Sequence, residues 1–346
     1  MADGAEAAGY DAEFVKHLYR VFFDREPDPC GFQTHMIALR SGVRPHDLVA
    51  SFLRSDEFIS RRSHIIVPPY DLPNLKLTFP DHYRDDVYLA FNSHRINLME
   101  KLILENHYYD SLGVWSSVID NDKLNIAQLV LSTGAKNCLE VGCFNGPVLS
   151  VLRDRGVEIT GVDLSHLAFV LAFPNIRTRL LYGDLLTVNL DQTYDCILLL
   201  DIMEHLNPLR LGQHISRLRE VLEPGGLIIM NSPMFGFDPV FGTVFKQNFQ
   251  EWRDVGDREF YREWPCDKNG WPMHGHMIWA SPGWWTRQFD GYDLIRQREI
   301  EQAIQRDLGE YFAGAPARRT LAVFSHRQAV IDSARICRRI HEQCWP

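Results

Sequence analysis

From Asn137 onward short apolar runs alternate with helical patterns, and this alternation limits the fold more than any other feature of the chain. The runs at 137–141, 158–162, 179–182, 196–200 and 227–231 read as strands, with helices at about 147–154, 165–172 and 208–222 between them. Strands that are apolar on both faces must be covered on both faces, so they belong to a parallel sheet with helices on each side. The predicted class is α/β: a doubly wound, Rossmann-like, mostly parallel sheet with its ligands at the carboxyl ends of the strands.

The first strand runs into CLEVGCFNGPVLSVL, residues 138–152, which reads as buried strand, glycine turn and helix start. Gly142 lets the chain reverse and admits a ligand close to the backbone, while Gly146 precedes a helix whose first N–H groups lack intrahelical partners. Phe144 stands where nucleotide-binding loops commonly place another glycine. Glu140, on the last turn of the strand, points into the same crevice. A pyrophosphate would be repelled by that carboxylate, and the GxGxxG of dinucleotide sites is missing, so an NAD-dependent oxidoreductase is disfavoured. A ligand carrying an ammonium or sulfonium cation would be attracted instead.

Acids recur at the next strand tips. GVDLS places Asp163 where a carboxylate can accept from both ribose hydroxyls, YGDLL places Asp184 near an exocyclic amine, and LLLDIMEHL ends the fourth run at Asp201. In LREVLEPGGLIIMNSP, Pro224, Gly225 and Gly226 read as the turn from helix back to strand. Aspartate at such turns often serves only as a helix N-cap. Four acids at successive strand tips are hard to explain as capping alone.

Taken in order, LEVGCFNG, GVDLS, YGDLL, LLLDIMEHL and LEPGGLIIMNSP resemble the class I S-adenosylmethionine-dependent methyltransferases over about residues 110–330. The resemblance implies S-adenosyl-L-methionine as cofactor, with Glu140, Gly142 and Gly146 at its methionine end, Asp163 at the ribose and Asp184 at the adenine. It also sets the Asp201–Ile202 peptide near the sulfonium, and the flanking Cys143, Leu164, Gly183 and Leu185 complete the expected contacts. Phe144 departs from the family's commoner glycine and leaves the loop conformation open.

After the fifth strand the chain makes an excursion of about fifty residues, 232–280, dense in aromatics: Phe235, Phe237, Phe241, Phe245, Phe249, Trp252, Phe260, Tyr261, Trp264, Trp271 and Trp279. Such a connection reads as a substrate-covering lid, whose aromatic faces can stack on sugars or rings or simply form the lid's own core. It closes on WPMHGHMIWASPGWW, where His274 and His276 flank a glycine and Ser281-Pro282 opens a helix. Methyl transfer to a hydroxyl needs an aligned nucleophile and a base, and His276 and His274 are the preferred candidates, with Asp201, Glu204 and His205 as competitors. The last three could also hold a divalent metal, but no second ligand cluster is evident in the sequence and no metal is assigned.

Residues 10–62 read as a separate helical unit, with Phe14, Leu18, Val21 and Phe22 on one face of its first helix and helices from Phe32 to Arg40 and from Pro45 to about Arg62. LYRVFFDREPDPCGF, LRSG and FLRSDEF resemble a small bacterial domain of unknown function that recurs beside surface-polysaccharide enzymes. Asp24-Arg25 stands where that domain usually has Gly-Arg. Residues 63–109 read as a proline-rich linker over the surface and a connecting helix, SHRINLMEKLILENHYYDSL. The methyltransferase-like domain spans 110–330, and 331–346 read as a C-terminal helix with Val330, Ala334, Cys337 and His341 on its packing side.

A formal charge of −9 argues against a broad nucleic-acid surface. Seven cysteines without a CxxC pair fit neither a disulfide framework nor a zinc cluster, and the start MADGAEAAGYDAEF lacks a signal sequence, so a cytoplasmic location is expected. No apolar run reaches the length of a membrane span. The expected partner is a sugar, glycan or other small-molecule acceptor, with a homo-oligomer allowed by the C-terminal helix. The expected function is O-methylation of a sugar or glycan hydroxyl. A quinone, lipid or small natural product is the alternative acceptor, and a non-catalytic cofactor-binding module the alternative class.

Overall fold

The computed structural model describes residues 2–23, 25–53, 55, 57–58, 87–89, 93–112, 118–244 and 273–343. The lid aromatics Phe245, Phe249, Trp252, Phe260, Tyr261, Trp264 and Trp271, and residues 59–86 of the expected third helix and linker, lie outside the described residues.

The predicted strands form one sheet: β2 (Asn137–Val141), β3 (Glu158–Asp163), β4 (Leu180–Tyr182), β5 (Tyr194–Leu200) and β6 (Leu222–Asn231). Two strands that the apolar pattern does not announce, β10 (Leu294–Arg296) and β11 (Ala322–His326), complete it. The order is β10-β11-β6-β5-β2-β3-β4, parallel from β6 to β4, with β11 antiparallel to both its neighbours. Chain order reverses between β2 and β5, which opens a crevice beyond their carboxyl ends.

Alternation along the strands sorts side chains between two cores. Leu139, Val141, Ile197, Leu199, Ile228 and Met230 face one side, with Ile96, Met99 and Ile103 of the helix α4 (Ser93–Glu105). Cys138, Cys196, Leu198, Leu227 and Ile229 face the other, with residues of α6 (Asn121–Thr133) and α7 (Pro147–Asp154). Asp120 caps α6, and Gly134, at φ 84°, closes it. The Pro-Gly-Gly segment behaves differently from the simple turn expected of it. The β6 strand begins at Leu222 opposite Tyr194, and pairing resumes at Leu227 opposite Cys196, so Glu223–Gly226 bulge out of the strand.

The N-terminal unit consists of α1 (Ala2–Phe23), α2 (Pro29–Arg40) and α3 (Pro45–Leu53). Asp28 caps α2 through the Gly31 N–H at 2.8 Å. Its core of Phe14, Leu18, Tyr19, Phe22 and Phe52 continues onto Leu167 and Val170 of the short helix α8 (His166–Val170), so the unit packs on the sheet domain. The expected single connecting helix is broken at His107, φ 51°, into α4 and α5 (Tyr108–Leu112). The buried Asp110 explains the break: it accepts from Ser165 Oγ and the Leu167 N–H and contacts His107 and His166. Part of the expected surface linker is also a strand. β1 (Val87–Leu89) pairs antiparallel with β9 (Ile278–Ala280), and Val87 is buried, because pairing satisfies the backbone of an apolar run.

The 232–280 segment begins as a hairpin of β7 (Gly236–Asp238) and β8 (Gly242–Val244), and its described far end runs through a turn at Met273–Gly275 into β9 and α10 (Pro282–Asp290), which Ser281 caps through the Trp284 N–H at 3.1 Å. Then follow α11 (Arg298–Asp307), α12 (Gly309–Gly314) and α13 (Ser333–Glu342). The packing face of α13 differs from the expected one: Ile336 and Ile340 are buried, Cys337 lies at the edge, and Val330 is 97% exposed. Between two arginine-rich turns, isoleucine loses more contact with water on burial than histidine or alanine.

Candidate active site

Beyond the carboxyl ends of β2 to β5 lies one cavity of about 540 Å³, within the usual range for small-ligand sites. Glu140, Gly142 and Cys143 line it from β2 and the turn beyond, and Asp163 and Leu164 from β3. Gly183, Asp184 and Leu185 follow from β4, and Asp201 and Ile202 from β5. His274 and His276 reach it from the lid, so every predicted site residue but Gly146 faces the same space. Gly146 sits behind the wall: at φ 70° it starts α7, and a side chain there would run into Ile176. Gly142, at φ 72°, makes room for Ile202, whose Cδ1 would lie 2.5 Å from an added Cβ.

Three non-glycine residues with left-handed backbone line this cavity: Phe144 (φ 45°), Asp201 (φ 53°) and His274 (φ 58°). Such a conformation costs on the order of 1–2 kcal/mol per residue, and residues held in it cluster at functional sites. At Phe144 the reason is visible. Its N–H donates to Asp163 Oδ2 at 2.7 Å, while its ring packs against the core cluster that the N-terminal helices share with Leu167 and Val170. The phenylalanine therefore lines the cavity and at the same time packs on the core shared with the N-terminal unit.

Asp163 accepts a second main-chain bond, from the Ser165 N–H to Oδ1 at 2.7 Å, leaving a lone pair on each oxygen for a pair of hydroxyls. Burial pushes its pKa to about 6 against those two bonds. Glu140 is 5% exposed, and its Oε2 has no hydrogen-bond partner. Burial, then the neighbouring Asp163, raises its pKa to about 8, although Arg318 and Lys123 pull the other way. An orphaned buried carboxylate at this point suits a cationic ligand, which is what the methionine end of S-adenosylmethionine presents. Asp184 contacts His214 at 3.6 Å and accepts from the Leu186 N–H at 3.2 Å.

Asp201 is held by two partners. Asn231 Nδ2 donates to its Oδ1 at 2.5 Å, and Arg318 pairs with its other oxygen while also bonding Asp122. Nothing in the sequence around Arg318 signals this role, because it comes from a turn after α12 with no periodicity. Tyr109 was equally hidden. Its ring packs edge-on to His205, the residue lines the cavity, and its hydroxyl is buried without a partner.

The expected helix start at Glu204 and His205 is a single 3-10 turn, Met203–His205, and the helix α9 begins at Leu211. The Met277 N–H donates to the Glu204 carbonyl at 2.7 Å, which clips the returning lid onto this turn. As a result the His276 ring stands edge-on to His205, centroids 4.6 Å apart, beside the fully buried Glu204. Burial, then His274, pushes the His276 pKa down to about 4, and burial holds His205 well below its ordinary value. His274 is exposed toward the cavity mouth.

The profile of a family described as a methyltransferase domain matches residues 119–295, just over half of the chain. That of a domain of unknown function, DUF4214, matches residues 5–62. A chain of Geobacillus sp. (strain WCH70), named as a methyltransferase, is 27% identical over 187 residues, covering 51% of this chain and 71% of its own. Among solved structures, an amino pentose methyltransferase of Micromonospora echinaspora is similar at 23% identity and TM-score 0.30, over 34% of this chain and 51% of its own. A 1,6-didemethyltoxoflavin-N1-methyltransferase of Burkholderia thailandensis is similar at 13% identity and TM-score 0.40, over 68% of this chain and 88% of its own. The chain spans about half the length of several solved structures that it matches, the amino pentose enzyme among them.

Proposed function

The chain belongs to the class I S-adenosylmethionine-dependent methyltransferases, and on that premise we propose that it methylates a hydroxyl of a sugar or glycan. The observation that carries the reading is the division of one cavity: carboxylates on strand tips along one side, and histidines and Tyr109 on the lid side. The cofactor supplies an electrophilic methyl group on a cationic sulfur. Glu140 answers that charge, and Asp163 offers its free lone pairs to the ribose hydroxyls. Asp201, fixed by Asn231 and Arg318, holds the turn that carries Ile202. His274 stands at the mouth, where it can take the proton of an acceptor hydroxyl, and His276 backs it from the buried side.

Support for a sugar acceptor comes from the N-terminal unit, whose sequence resembles a domain found beside surface-polysaccharide enzymes, and from the aromatic-rich lid. The test is release of S-adenosylhomocysteine on a panel of sugars, glycans, phenols, quinols and lipids. Turnover on sugar hydroxyls, reduced on the order of 100-fold by His274→Ala, is expected. Turnover confined to phenols or quinols overturns the sugar reading. Cofactor binding without turnover on any acceptor makes the chain a binding module.

A further inference from the structure

Glu204 is the most demanding residue in the cavity. Its side chain is fully buried, and neither carboxylate oxygen has a hydrogen-bond partner in good geometry, the Ser232 hydroxyl being the near polar group. A buried carboxylate left this way costs several kcal/mol, so native proteins pair it, protonate it or give it to a cation. Asp201 and Arg318 act on it from one side, and two imidazoles stand on the other. His205 lies at 3.9 Å from Oε1 and has an unpartnered Nδ1, and His276 stacks edge-on against His205. One ligand atom from each of Glu204, His205 and His276 falls within 4.8 Å of the others.

We infer that Glu204, His205 and His276 form a binding site for one divalent first-row metal cation on the acceptor side of the cavity. Two imidazoles and one carboxylate are the donor set of three-ligand zinc and related sites, which keep a position open for an outside oxygen. All three residues line the cavity, so that open position faces the space where an acceptor would lie. In sequence, the candidate third ligand beside Glu204 and His205 is Asp201, which Asn231 and Arg318 take up, and the Met277–Glu204 main-chain bond brings His276 in its place. The other cluster of this kind among the described residues, His107, Asp110 and His166, is a weaker candidate, because Asp110 already accepts from Ser165 and Leu167.

Within the proposed reaction, and resting on that reading, the cation would bind a hydroxyl oxygen of the acceptor and ease loss of its proton to His274. A sugar with adjacent hydroxyls offers two oxygens to one ion. Binding of the cation itself depends on no acceptor, which separates the two tests.

The full chain, stripped with chelator, is titrated with Co2+ and followed by visible absorption, and with Mn2+ followed by calorimetry. One equivalent per chain is expected, with a visible band that shows nitrogen ligation. Affinity should fall at least about tenfold in Glu204→Gln and in His276→Gln. If Glu204→Gln fails to fold, His276→Gln at its half-buried position carries the test, through a Co2+-induced rise in melting temperature seen in the parent and lost in the variant. Equal affinity in parent and both variants, or no binding of either ion, overturns the site. Methylation of sugars by a chain that binds no cation sinks this inference alone. Cation binding with turnover only on phenols leaves it standing and sinks the sugar acceptor.

Discussion

Glu140 carries a prediction with a definite sign. In the free protein its pKa of about 8 leaves it protonated at neutral pH, and a sulfonium favours the carboxylate, so cofactor affinity should rise with pH. Asp163, which titrates near 6, faces it, and Arg318 and Lys123 act on it from nearby. Between pH 6.5 and 7.5 calorimetry should therefore show affinity rising by up to about tenfold, and Glu140→Gln should flatten the slope. The same shift makes the group's contribution to stability full below its unfolded value of 4.5 and lost as pH climbs through about 8. Asp163→Ala removes two main-chain bonds and the proposed ribose acceptor together. It should weaken cofactor binding by about 3 kcal/mol, on the order of 100-fold. The acids were legible because a strand tip is a fixed address in a parallel sheet. Arg318 and Tyr109 were not, because they reach the cavity from segments whose position no local pattern sets.

At the scale of elements, the lid hairpin is pinned by a buried triad. Arg296 on β10 bonds Asp238 on the hairpin at 2.7 Å and Glu301 on α11 at 2.7 Å, and its guanidinium lies 4.5 Å from the centre of the Phe241 ring. Arg296→Ala strands two buried carboxylates and should cost about 3–5 kcal/mol, read from the urea midpoint. A change at an exposed arginine such as Arg219 should cost under about 0.5 kcal/mol. The correction on α13 is as easily checked. Ile340→Asp should destabilise by more than about 3 kcal/mol, while Val330→Asp should change little. The five parallel strands and the helices between them followed from the alternation of apolar runs with helical patterns. The face of α13 and the break before α5 did not, since each was decided by what packs against it.

The molecule as a whole couples its small unit to its cofactor loop. Phe144 bonds Asp163 through its backbone and packs against the N-terminal helices through its ring. Phe144→Ala should therefore lower the melting temperature by a few degrees and weaken cofactor binding several-fold, in one variant far from any acceptor. Unchanged cofactor affinity would show the two packings to be independent. The residue that broke the glycine pattern thus packs on the core that joins the two units.

The sequence by itself determined the five central strands, their parallel arrangement and the row of acids at their tips, because short apolar runs and strand-to-helix turns are local and survive without knowledge of neighbours. Tertiary structure alone decided that Arg318 clasps Asp201, that Phe144 faces the small unit and that His276 meets Glu204 and His205. Those contacts join segments far apart in the chain, and their geometry is fixed only when the sheet, the lid and the helices close on one another.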